Sequence, residues 1–235
     1  MRTWSQTRLA TAVALCSWAA LFWFLILDGR VPLYLSPRTT WLAYLGAVTS
    51  TVGAIGYVMF ARTDAREPLT MRGIGALATF LIPVVLLLSL PPITLGSFAS
   101  SRRTNFVAQG VVAPPEGDIS SGELSLLDVA GALRSPEGSD ALAARAGTEV
   151  SFIGFVDRDQ GQPADEFTLT RFLITCCPGD ALTVQVRVVG APPGKFKADD
   201  WVRVTGALYP LGQEAIVEAS DVVSVPRPQH PYLSS

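Results

Sequence analysis

Three long runs without a single Asp, Glu, Lys, Arg or His dominate the first hundred positions, at residues 9–27, 41–61 and 73–90. They are 19, 21 and 18 residues long, and a bilayer core takes about 20 apolar residues in helical form. In lipid every backbone N–H and C=O must find its partner inside the chain, and a helix does this within one segment. The runs therefore predict three transmembrane helices in residues 1–92, with Pro91-Pro92 closing the third. The first run is too long for the apolar stretch of a signal peptide and two more follow it, so it reads as an uncleaved anchor. Trp4, Tyr34 and Trp41 stand where interfacial aromatics gather.

Charge divides the chain at the same place. Through Arg103 there are nine Arg, no Lys and three acidic residues, a net +6; from Thr104 there are seven Arg, two Lys and 17 acidic residues, a net −8, together the −2 of the whole chain. The basic edges suit lipid headgroups, and the acidic half excludes nucleic acid as a partner, since that needs basic surface. Arg2, Arg8, Arg62, Arg66 and Arg72 flank the runs on one side, and Arg30, Arg38, Arg102 and Arg103 on the other. Five against four places the N-terminus in the cytoplasm and the second half outside it. Spans free of Asp, Glu, Lys, Arg and His lack the relay residues of a pump or carrier. In the second run Gly46, Ser50, Gly53 and Ala54 form a small-residue face. It can serve packing among the chain's own helices or the approach of a separate membrane partner. Pro83 interrupts the third run and removes one backbone donor.

Residues 93–118 are rich in Ser, Gly, Ala and Pro and read as a linker. Ser120-Ser121-Gly122-Glu123 fits a capping box before the apolar run Leu124, Leu126, Leu127, Val129, Ala130 and Leu133, and Ser135-Pro136 opens a second short helix. From Thr148 the pattern turns to strands, at residues 148–158 (with Gly154 as a bulge), 167–177, 181–189, 201–208 and 215–225. The third alternates cleanly, Leu182, Val184, Val186 and Val188 against Thr183, Gln185 and Arg187, so one face is buried and the other wet. Five short strands after a helical lead-in predict a soluble, mainly-β domain over residues 119–235, an OB-like five-stranded barrel. Its acidity and few aromatics exclude the single-strand binding that such barrels often perform.

One segment carries chemistry: Arg171-Phe172-Leu173-Ile174-Thr175-Cys176-Cys177-Pro178-Gly179-Asp180. Cys177-Pro178-Gly179-Asp180 has the composition of a type II turn joining two strands as a hairpin. Strand alternation places Cys176 with Phe172 and Ile174 on a buried face and turns Cys177 the other way. Three readings stand side by side. Cys176 is a core residue and Asp180 caps the turn; or Cys176, Cys177 and Asp180 meet a soft metal ion; or the thiols do redox chemistry. Cys16, the third cysteine, lies in a span, so no multi-bridge disulfide framework exists. His230 is the lone histidine, in the tail Pro226-Arg227-Pro228-Gln229-His230-Pro231, which argues against a histidine metal site or a Ser-His-Asp triad; the tail is solvated, or folds back to lend one imidazole.

Together the three N-terminal spans, Leu33-Tyr34-Leu35-Ser36-Pro37-Arg38, Gly154-Phe155-Val156, the double-cysteine segment and Asp200-Trp201-Val202-Arg203-Val204-Thr205-Gly206 resemble an uncharacterised bacterial family of permease subunits. The resemblance implies a partner, a separate multi-spanning permease encoded nearby, which some relatives link to metal or metalloid export. Some members carry histidine-rich loops between the second and third spans; residues 62–72 here contain none. The functional expectation is a non-enzymatic accessory subunit whose outer domain presents the cysteine hairpin. A membrane-tethered thiol redox protein and a purely structural assembly factor are the alternatives.

Overall fold

The computed structural model describes residues 3–63, 69–89, 94–103, 105, 124–159 and 161–234. The chain divides into two compact units, Met1–Ile93 and Thr94–Ser235.

The first unit is built on three helices long and apolar enough to cross a membrane, α1 (Gln6–Leu27), α2 (Trp41–Met59) and α3 (Met71–Ser89). Ser5 caps α1, its Oγ accepting from the Arg8 amide at 3.3 Å. Beside it the strand β1 (Thr3–Trp4) pairs antiparallel with β2 (Arg62–Thr63), and Arg8 Nη1 donates to Phe60 O at 2.8 Å. The hydroxyls inside the helices are satisfied locally: Thr11, Ser17, Thr51 and Thr79 each donate to the carbonyl four residues back. That is the arrangement an apolar solvent demands. Two indoles tie the helices together, Trp23 Nε1 to Thr51 Oγ1 of α2 at 3.2 Å and Trp18 Nε1 to Phe80 O of α3 at 3.1 Å. The small residues of α2 are used within the unit. A Cβ on Gly46 would stand 2.8 Å from the Phe22 ring, and one on Gly53 would stand 3.2 Å from Leu15. Val84 is the buried residue of α3, and Leu86, Leu88, Ile82 and Val85 lie open on it.

The second unit is a barrel with a helical lead-in. The capping box read at residues 120–123 lies outside the described residues. The helix α5 (Leu126–Ala132) is opened by Ser125, whose Oγ accepts from the Asp128 amide while the Asp128 carboxylate accepts from the Ser125 amide. Ser135 caps α6 (Pro136–Ala143), as Ser135-Pro136 predicted. Five strands follow: β3 (Glu149–Asp157), β4 (Phe167–Ile174), β5 (Leu182–Val189), β6 (Trp201–Leu211) and β7 (Glu214–Ser224). They pair in the order β3-β6-β7-β5-β4, and β4 returns to β3, so the sheet closes. All contacts are antiparallel except β5 with β7. This is the ring connectivity of an OB barrel.

Closure explains two glycines. The register of β3 on β6 runs unbroken through Gly154, so the expected bulge is absent there. Gly154 is needed instead because β4 crosses close by: a Cβ would stand 2.8 Å from Thr170 O. The irregularity falls in the β6–β7 pairing between Thr205 and Gly206, where a Cβ on Gly206 would collide with Glu218 O. Inside, Phe152, Val156, Phe167, Leu169, Val186, Val204 and Val217 fill the barrel, and Leu126, Val129, Leu133 and Leu142 of the lead-in helices extend the same core.

A second apolar layer covers the outer face of the β3–β4 seam. Phe155 and Phe172 stack at 5.6 Å, joined by Ile174, Ala181 and Tyr232, with Leu95, Ala99 and Trp201 against them. An aromatic pair of this kind contributes about 0.5–1.5 kcal/mol beyond its burial. The segment read as a tether thus begins on the barrel. In residues 94–103 a short helix α4 (Ser97–Ser100) is pinned by Asp199 Oδ1, which accepts from the Ser97 amide at 2.6 Å, and by the Ser100 hydroxyl on the Asp157 carboxylate. Burial pushes the Asp157 carboxyl up, with the Ser100 hydroxyl acting the other way. Of the remaining linker, residues 93, 104 and 106–118 lie outside the described residues. The proline-rich tail also returns: Arg171 donates to His230 O at 2.7 Å, and β8 (Leu233–Ser234) pairs parallel with Leu173 and Ile174.

The seam supplies a test. Gly154→Ala forces a methyl against Thr170 O and Leu169 and should cost about 1–3 kcal/mol. It should lower the thermal midpoint of the barrel, followed by Trp201 fluorescence in a detergent-solubilised chain whose other four tryptophans are replaced by Phe. Gly75→Ala, where a Cβ meets nothing within 4 Å, should leave the midpoint in place.

Candidate functional site

The double-cysteine segment leaves the barrel at the end of β4. The strand was expected to run to Cys177 but stops at Ile174, because β8 pairs only as far as that residue and the register with β5 ends at Leu173. Cys176 is therefore not a strand residue sharing a buried face with Phe172 and Ile174. It is exposed, and Cys177 is half-buried. The connection to β5 is also not the expected type II turn. Gly179 is absent from the positive-φ glycines, and Pro178–Asp180 form a single turn of 3₁₀ helix with Cys177 as its cap. A type II turn needs a positive φ at its third residue; here Pro178 at the start of a helical turn supplies the constraint instead.

Asp180 organises this turn. Its Oδ1 accepts from the Thr175 amide at 3.1 Å and its Oδ2 from the Cys176 amide at 2.8 Å. The Asp180 amide closes the turn on Cys177 O at 3.1 Å. Arg103, in the segment that arrives from the membrane half of the sequence, fixes the other side. Its Nη1 donates to Gly179 O at 2.9 Å and approaches Ala181 O at 3.4 Å. Nothing in the sequence marked Arg103 beyond its charge at the flank of a span, for its partner stands 76 residues away.

Two consequences follow for the chemistry. Partial burial alone would raise the Asp180 carboxyl, but the amides of Cys176, Thr175 and Cys177 and the Cys176 thiol outweigh it and hold the carboxyl below its ordinary value. Asp180 is thus charged at neutral pH, and the clamp is lost only as pH falls through that lowered value. The Cys176 thiol is pushed the opposite way, up to about 11, because it hydrogen-bonds to the Asp180 carboxylate and to Cys177. A thiolate beside a carboxylate is disfavoured, and the thiolate is the reactive form.

The bend between strand and 3₁₀ turn brings the two sulfurs to 3.5 Å. Adjacent residues on a strand would have sent them to opposite faces. Among the described residues no group of three or more His, Cys, Asp or Glu side chains is placed to hold a metal ion. The two thiols converge, while the carboxylate oxygens of Asp180 are already committed to amides. His230 is exposed and brings its carbonyl, not its ring, to Arg171.

Residues 140–234 match the family model described as DUF1980 C-terminal domain. The match takes in the second half of α6, the whole barrel, the cysteine turn and the returning tail, and supports placing this part of the chain in an uncharacterised domain family. No curated protein matches the chain.

The carboxylate's hold on Cys176 is measurable. In a Cys177→Ser background the rate of iodoacetamide alkylation at Cys176 should keep climbing with pH beyond 10. Adding Asp180→Asn should bring the midpoint down toward that of an ordinary thiol, with an alkylation rate at pH 8 about tenfold higher.

Proposed function

We propose that this chain is a non-enzymatic accessory subunit of a membrane permease, with its helices seated beside a multi-spanning partner and its barrel on the extracytoplasmic side. The observation that carries the reading is the division of labour between the two units. The helices are long and apolar enough to cross a bilayer, and residues 9–27, 41–61 and 73–90 hold no Asp, Glu, Lys, Arg or His, so they offer no ion or proton path of their own. The barrel is filled to its centre with apolar side chains, so it encloses no passage either. What the chain offers is an anchor and an ordered surface turn.

Several features support an external partner for the anchor. The small residues of α2 face α1, and α3 buries little more than Val84. Most of the apolar surface of α2 and α3, from Leu45 and Val52 to Ile82 and Leu88, is left to lipid or to another helix. The arginine flanks, five against four, support a cytoplasmic N-terminus. The resemblance to permease subunits, carried by the cysteine segment, supports the identity of the partner. The reading as a tethered thiol enzyme needs an easily formed thiolate, and at Cys176 the neighbouring carboxylate works against one.

A tagged chain extracted in mild detergent should bring down the multi-spanning permease encoded beside it in near-stoichiometric amount. Recovery of the chain alone, with the permease present in the same membranes, would overturn the proposal. Cysteine accessibility on intact cells tests the orientation: a membrane-impermeant maleimide should label Cys177 before lysis, and labelling only after lysis reverses the topology.

A further inference from the structure

We infer that Cys176 and Cys177 together chelate one thiophilic divalent cation of tetrahedral preference, Zn²⁺ or Cd²⁺, through both sulfurs, with Asp180 positioning the turn and not binding the ion. The inference stands on the geometry of the turn and holds whether or not a permease binds the anchor.

The separation of the sulfurs decides the class of ion. A Zn–S bond is about 2.3 Å long, so sulfurs 3.5 Å apart subtend roughly 100° at a shared ion, close to a tetrahedral angle. Linear two-coordination would need them about 4.6 Å apart with bonds of that length. The turn thus favours an angular site over a linear one, and sulfur ligands select soft or borderline ions over Mg²⁺ or Ca²⁺. Each thiol releases its proton to solvent as its metal–sulfur bond forms.

The geometry is held from outside the pair. Asp180 binds the amides of Thr175 and Cys176, and Arg103 donates to Gly179 O within the turn and Ala181 O just after it, so the backbone carrying both sulfurs is fixed on two sides. The sulfurs lie at the surface, Cys176 exposed and Cys177 half-buried. No third His, Cys, Asp or Glu completes the set among the described residues. The remaining two corners of a tetrahedron fall to water or to donors from another molecule. A half-filled, surface-exposed site is open to exchange, whereas a structural zinc site is closed by four protein ligands.

Cd²⁺ is the probe, because its thiolate-to-metal absorption in the ultraviolet scales with the number of Cd–S bonds. The full-length chain in detergent, kept reduced with a phosphine, should bind one Cd²⁺ per chain with an amplitude of two Cd–S bonds. Cys176→Ser and Cys177→Ser should each halve the amplitude and weaken binding at least tenfold, and the double variant should abolish both. Cys16→Ser should change neither. Asp180→Asn should keep the two-sulfur amplitude at saturation while binding weakens severalfold, and Zn²⁺ should compete the signal away. Absence of the band in the wild-type chain, or an undiminished band in Cys176→Ser, would overturn the chelate. A band lost from Asp180→Asn while circular dichroism reports an intact barrel would make Asp180 a ligand and overturn its positioning role.

Discussion

The pairing of β3 with β4, through Phe155↔Thr170, Val156↔Leu169 and Asp157↔Thr168, converts a curled sheet into a closed barrel, and most of the second unit depends on it. An unclosed sheet would leave two edges of unsatisfied backbone groups. Closure also brings β4 so near β3 that position 154 must lack a side chain. It makes β4 a strand buried on both faces, with Leu169 and Leu173 inside the barrel and Phe172 and Ile174 under the outer layer. That outer layer needs a cover. Residues 94–103 and the returning tail provide it, and they carry Arg103 and β8 to the two sides of the cysteine turn.

The first unit obeys a different solvent. Its helices satisfy their backbone internally and return their hydroxyls to their own carbonyls. Cohesion between helices comes from close approach at Ala43, Ala47 and Gly46 against α1 and from two indole hydrogen bonds. In lipid, apolar surface alone gives helices little reason to associate, so packing and polar contacts of this kind carry the association. The same reasoning lets α3 remain largely open without penalty.

At the turn, opposite demands meet within six residues. Asp180 is charged because amides converge on it, and that charge keeps the neighbouring thiol protonated. A nucleophilic cysteine would want the reverse, a cation or a helix N-terminus beside it. A chelating pair asks chiefly for two sulfurs at the right spacing on a fixed backbone, with a metal ion to displace their protons. The turn offers spacing and rigidity and withholds activation.

Much of this was legible in the chain itself. The three apolar runs determined three membrane-length helices, because within a single segment only a helix satisfies that much backbone in lipid. The alternation at Leu182 to Val188 and the turn residues between strands determined a β domain, because a period of two matches one buried face. Other features depended on residues distant in sequence. Where β4 ends was decided by the reach of β5 and β8, and so was the exposure of Cys176 that alternation alone had buried. The place of the bulge was decided at Gly206, where β7 presses on β6, and Gly154 serves the closing seam instead. Arg103 and the tail came to the turn only because the outer face of Phe155 and Phe172 had to be covered. Local periodicity records which faces are apolar; what covers them, and which polar groups that cover brings along, is settled by contacts between segments that the sequence keeps far apart.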